Sequence, residues 1–248
     1  NTTEMSIKKI LNYSPNFDPK KREINKIKYL IFHYTGMKKE LDAIKRLTNI
    51  RSKVSSHYLI KINGEIVVLV PDLYIAWHAG ESSWKSSKLL NKSSIGIEIS
   101  NPGHRFNYNK YSTKQINSLL KLSKLLIKKY KINAKNILGH SDIAPSRKKD
   151  PGEKFPWKYF AKKRIGIWHT LSNDTLKKNR NNKINKIEEK HFYKNLYKIG
   201  YLNKKPKIYK SMSFLVKAFQ MRFRQELVNG KLDKECLLIS QNITKKFK

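Results

Sequence analysis

The sequence predicts an α/β domain, a mixed central sheet flanked by helices, followed by a small all-α module. Three observations carry this. Short apolar runs of strand character alternate with segments of helical period between residues 28 and 140. Two of those runs flank Asn63-Gly64, a hairpin signal. Beyond residue 188, apolar residues recur at helical spacing.

Residues 1 to 27, polar and punctuated by Pro15 and Pro19, read as an N-terminal arm rather than a regular element. KYLIFHYT, residues 28 to 35, reads as a buried strand that reaches His33, and Leu41, Ile44, Leu47 and Ile50 follow at helical spacing. HYLIKI and EIVVLV pair around Asn63-Gly64, since both turn residues tolerate positive φ. In SIGIEIS, residues 94 to 100, Ile95, Ile97 and Ile99 alternate with Gly96 and Glu98, which turns Glu98 away from the apolar face. Ser112 and Gln115 are spaced as a capping box for a helix running to about Tyr130, with a stripe of Ile116, Leu119, Leu120, Leu126 and Ile127. ILGH, residues 137 to 140, is a short strand delivering His140 to a loop, and the α/β domain, residues 28 to 169, closes on His169.

Residues 170 to 188 lose apolar periodicity and read as a solvated linker or an exposed helix. In residues 189 to 248, Phe192, Leu196, Ile199, Leu215, Ala218, Phe219, Phe223 and Leu227 define a helical module interrupted by Gly200 and Asn229-Gly230.

Composition narrows the functional classes. The formal charge of +36, from 54 Lys and Arg against 18 Asp and Glu, calls for an anionic partner. The basic residues are mostly lysines scattered along the chain, without a recognised nucleic-acid module or an aromatic basic face, so no nucleic acid is expected. Anionic envelope components remain. The single Cys236 excludes an intramolecular disulfide and leaves any reactive site to His, Asp, Glu and Lys. No apolar run approaches the roughly 20 residues of a membrane span.

His33, His140 and Asp150 each close or follow an apolar segment. Two imidazoles and one carboxylate are a donor set that zinc hydrolases use, with ligands at about 2.0–2.3 Å and a further position left open. By residue type alone, His33 reads equally as a buried, hydrogen-bonded histidine, and Asp150 before Pro151 as a turn initiator. Glu98 reads equally as a solvated carboxylate, and Lys148 as one lysine among many.

The wording around these residues resembles the type 2 family of N-acetylmuramoyl-L-alanine amidases, relatives of animal peptidoglycan recognition proteins. Five blocks carry the resemblance: IFHYTG at 31 to 36, SSHYLI at 55 to 60, AWHAGESSW at 76 to 84, SIGIEISNPG at 94 to 103, and NILGHSDIAPSRKKDPGEKFPW at 136 to 157. It implies that His33, His140 and Asp150 bind Zn2+, that Glu98 acts as general base and then acid, and that Lys148 stabilises the oxyanion. Arg147 and Lys149 flank Lys148, so that last assignment depends on register. The implied reaction is hydrolysis of the amide between N-acetylmuramic acid and L-alanine in peptidoglycan or muropeptides.

His57, Trp77, His78 and Trp84 lie in these blocks and are expected to line the substrate groove, with core hydrogen bonds as the other reading for His57 and His78 and core packing for Trp77. Some relatives carry a tyrosine before the HYLI-type histidine; Ser56 stands there, so no catalytic tyrosine role is implied. HFYKNLYKIGYL through VKAFQMRFRQELVNGKLDKECL resembles the three-helix peptidoglycan-binding domain of wall hydrolases, on AFQ at 218 to 220 and NGKLD at 229 to 233; a helical cap is the alternative. A peptidoglycan recognition module without catalysis would be expected to lack a ligand, and none is missing. A wall-binding module implies a periplasmic or envelope-associated protein exported across the inner membrane, with no signal visible in this chain, and a monomer is expected.

Overall fold

The computed structural model describes residues 7–205 and 212–247. Residues 1–6 of the expected arm, and residues 206–211 and 248 of the expected helical module, lie outside the described residues. The strands are β1 (Lys9–Leu11), β2 (Phe17–Asp18), β3 (Tyr29–Tyr34), β4 (Tyr58–Ile60), β5 (Ile66–Val68), β6 (Ile75–Ala76), β7 (Ser83–Trp84), β8 (Ser87–Lys88), β9 (Ser94–Ile99) and β10 (Ile137–Gly139). The α-helices are α1 (Glu40–Thr48), α2 (Thr113–Tyr130), α3 (His140–Ile143), α4 (Trp157–Lys162), α5 (Asn173–Asn179), α6 (Lys186–Ile199), α7 (Ser213–Phe223) and α8 (Lys234–Thr244). They divide into two compact units, Asn1–Gly80 with Asn91–Leu138, and Glu81–Leu90 with Gly139–Lys248.

The first unit is built on a mixed sheet in the order β1-β5-β4-β9-β3-β10. Its central strands β9, β3 and β4 run parallel, and β4 and β5 form the antiparallel pair. Asn63 and Gly64 do lie in the β4–β5 connection, within a longer turn closed by Gly64 N–H donating to the Lys61 carbonyl at 2.9 Å. Helix α2 begins as predicted: Ser112 caps it and exchanges the capping-box bonds with Gln115, while Leu119, Leu122 and Leu126 are buried. In α1 only Ala43 and Leu47 are buried. Leu41 and Ile50 stand exposed, because the helix lays one narrow stripe on Leu59, Val67 and Leu69.

The N-terminal arm proves more regular than expected. Strand β1 pairs in parallel with β5 at the sheet edge, and β2 pairs with β6. Farther along, the Arg22 guanidinium is buried, donating to the carbonyls of Asp72 and Asn91. Burial brings its pKa down to about 10.

In the second unit, α3 begins at His140, so the predicted loop after ILGH is the first turn of a short helix. Of the two readings for residues 170 to 188, the exposed helix is seen as α5, which has no buried residue. Immediately after it, Arg180 grips both carboxylate oxygens of Glu235 at 2.8 Å. The AFQ and NGKLD segments interlock through Gln220, whose Oε1 accepts from the N–H groups of Asn229 and Gly230 and whose Nε2 donates to the Lys231 carbonyl. Gly230, at φ 73°, sits where a Cβ would lie 2.4 Å from Ser213 Oγ.

Candidate metal centre and active site

The strand pairing builds the site first. His33 on β3 is registered opposite Glu98 on β9, and strands in a sheet lie about 4.8 Å apart, so the two side chains leave the same face as neighbours. Alternation along β9 gives Ser94, Gly96 and Glu98 to that face and buries Ile95, Ile97 and Ile99 on the other. Next to β3 in the sheet stands β10, which leads directly into His140.

His140 and Asp150 are brought together by their own segment. The Asp150 carbonyl accepts from Ser141 N–H at 2.8 Å, and its Oδ2 stands 3.0 Å from His140 Nδ1. Asp142 stiffens the turn by accepting from Gly139 N–H at 2.8 Å. The ligand atoms offered by His33, His140 and Asp150 all lie within 4.8 Å of one another, and all three residues are buried. Among the described residues this is the group of three that fits a metal ion. Two imidazoles and a carboxylate suit zinc, and a 3.0 Å spacing is compatible with two ligands each about 2.0–2.2 Å from one ion.

Burial differs along RKKD. Lys148 is half-buried, whereas Arg147 and Lys149 are exposed, and Arg147 is engaged with the Glu81 carbonyl. Lys148 N–H donates to Ala144 O at 2.9 Å, which closes the turn after α3.

The four residues expected on the substrate groove take different places. His57 is fully buried: its Nδ1 accepts from Gly96 N–H and its Nε2 lies 3.0 Å from the Tyr74 carbonyl. Burial, then Arg22, lowers its pKa to about 3 and keeps it neutral. It sits in the core. Trp84 is 2% exposed, its ring packed on Gly200 and edge-on to Tyr201 at 4.9 Å. Trp77 is half-buried, donating from Nε1 to Asp18 at 2.7 Å. His78 is buried against His33, at 2.9 Å.

Tyr34, His104 and Tyr108 form a cluster to which the sequence motifs give no role. Tyr34, at the end of β3, donates or accepts at 3.0 Å with His104 Nδ1, and His104 stacks on Tyr108 at 4.4 Å. The Tyr34 ring lies where a Cβ on Gly103 would sit, at 2.5 Å, so the glycine of the NPG block admits it. That glycine was the available signal.

Two histidines and a carboxylate gathered into one cluster on an α/β fold, with Glu98 registered opposite His33, form a candidate site for a divalent metal. Residues 23–153 match the family described as N-acetylmuramoyl-L-alanine amidase. The chain belongs to that family. It is 34% identical over 235 residues to the N-acetylmuramoyl-L-alanine amidase AmiD of Escherichia coli (strain K12), covering 90% of this chain and 84% of that protein. The solved complex of E. coli AmiD with anhydro-N-acetylmuramic acid-L-Ala-D-gamma-Glu-L-Lys is similar with a TM-score of 0.77 at 34% identity, covering 89% of this chain and 90% of that chain. AmpDh3 from Pseudomonas aeruginosa, in complex with anhydromuramic pentapeptide, is similar with a TM-score of 0.77 at 31% identity, covering 92% and 94%. No helix among the described residues is long and apolar enough to cross a membrane.

Proposed function

We propose that this chain hydrolyses the amide between N-acetylmuramic acid and L-alanine in muropeptides or peptidoglycan, using a zinc site. The observation that carries the reading is the His33, His140 and Asp150 cluster with Glu98 registered opposite His33. When bound, zinc supplies Lewis acidity that polarises a carbonyl oxygen and acidifies water.

The chain's own residues do the rest. His33, His140 and Asp150 would hold the metal. The Glu98 carboxylate takes a proton from the attacking water as oxygen bonds to the amide carbon. The half-buried Lys148 ammonium donates to the oxygen that becomes anionic. Glu98 then returns the proton to the alanine nitrogen as the carbon–nitrogen bond breaks. The products are a lactyl carboxylate on the sugar and a stem peptide with a free amino terminus.

The excess of positive charge supports retention at anionic envelope components, and the reading places the protein in the periplasm or envelope as a monomer, with α6–α8 contributing to wall binding. The test is digestion of purified muropeptides, with and without zinc, by the wild type and Glu98→Ala. Zinc-dependent release of stem peptide that the substitution abolishes is expected. Binding of wall material without release from the wild type would instead indicate a recognition module.

A further inference from the structure

His78 lies across the face of β9 that carries Glu98. Its Nδ1 is 2.9 Å from His33 Nε2, and its Nε2 is 3.1 Å from Ser94 Oγ. Gly96, between Ser94 and Glu98, makes the room: a Cβ there would meet Cγ of His78 at 2.4 Å and Nδ1 at 2.5 Å. The backbone is pinned as well, since the N–H groups of His78 and Ala79 both donate to Asn91 Oδ1, at 3.1 and 2.7 Å.

A neutral imidazole has one donor and one acceptor nitrogen, so two rings meeting nitrogen to nitrogen must divide those roles. A metal-ligating histidine gives a lone pair from one nitrogen and carries its proton on the other. With Nε2 turned to His78, His33 ligates through Nδ1 and donates from Nε2. His78 then accepts at Nδ1, carries its own proton on Nε2, and donates to Ser94. With both rings neutral, the reverse order would protonate His33 at the nitrogen the metal needs.

We infer that His78 is a positioning residue, which selects the Nε2–H tautomer of His33 and fixes its ring for the metal, rather than a contact for the muropeptide. This rests on the metal-centre reading above. Ser94 and Gly96 complete the device, one as acceptor and one as space, and all three sit on or over one strand face. The GIE glycine and the WHAG histidine are thus two halves of one arrangement.

The test is zinc affinity, by competition with a chromophoric chelator, for full-length wild type, His78→Ala, His78→Asn and Gly96→Ala, with imidazole nitrogen NMR of His33 in the wild type. One zinc per chain is expected, with His33 protonated at Nε2. His78→Ala and Gly96→Ala should lose about 10–100-fold in zinc affinity, the usual cost of removing a partner of a metal-bound histidine. His78→Asn, whose carbonyl oxygen can take the acceptor position, should recover most of it. Wild-type affinity in His78→Ala together with a raised KM for muropeptide would overturn the inference and restore a substrate contact. A His33 proton on Nδ1 in the wild type would also overturn it, without any variant. Failure of the wild type to bind zinc would remove the metal-centre reading itself.

Discussion

Arg222 donates from Nη1 to Asp142 Oδ2 at 2.9 Å, with its guanidinium carbon 3.4 Å from the centre of the Trp157 ring. Asp142 stands two residues after His140 and also accepts from the Tyr201 hydroxyl at 2.6 Å. A residue of α7 thereby holds the short helix that opens with a candidate metal ligand. Burial pushes the Arg222 guanidinium below its ordinary pKa, and the Asp142 carboxylate opposes that shift.

Removing one partner of such a pair leaves the other charge buried and uncompensated. Arg222→Ala is expected to lower unfolding stability by about 3–5 kcal/mol, read from urea denaturation. A loss under about 1 kcal/mol would show that the pair contributes little to holding α3.

Glu98→Gln keeps the size of the side chain and removes the proton acceptor. Its turnover of muropeptide should fall by about 10²–10⁴-fold while zinc affinity stays at the wild-type level. A variant that retains turnover would remove Glu98 from the proton-transfer role.

Burial separates the three basic residues before Asp150, and kinetics should follow it. Lys148→Ala is expected to cost about 10²–10³-fold in kcat, as loss of an oxyanion partner does. Arg147→Ala and Lys149→Ala should stay close to wild type. If Lys149 carried the large effect, the register assigned to RKKD would be off by one.

His57 gives a pH dependence of stability. Its pKa falls from the ordinary 6.5 to about 3 in the folded protein, through burial and then Arg22, so the folded state binds fewer protons than the unfolded chain between those values. The contribution is fully present above pH 6.5 and is lost as pH falls toward 3. His57→Gln should flatten that part of a stability profile measured by denaturant unfolding. An unchanged slope would place the pH dependence on other groups.

Local pattern made much of the site readable. His33 ends an apolar run, alternation in SIGIEIS sets Glu98 opposite the isoleucines, and Ser112 with Gln115 announces α2. What escaped the sequence depends on distant partners. β1 is a strand because of a parallel pairing with β5, which its own three residues do not signal. Trp84 reads as a surface ring until Gly200 and Tyr201 close over it. The approach of His78 to His33 and Ser94 depends on the space at Gly96, which no local pattern announces.

Amide hydrolysis leaves a record of which bond was cut. Its most direct test is digestion of a purified anhydro-muropeptide by the zinc-loaded protein in heavy-oxygen water, with both products weighed by mass spectrometry. Free stem peptide of unaltered mass is expected, with a sugar whose lactyl carboxylate has gained one heavy oxygen. Recovery of intact muropeptide, or heavy oxygen in the peptide instead, would contradict it.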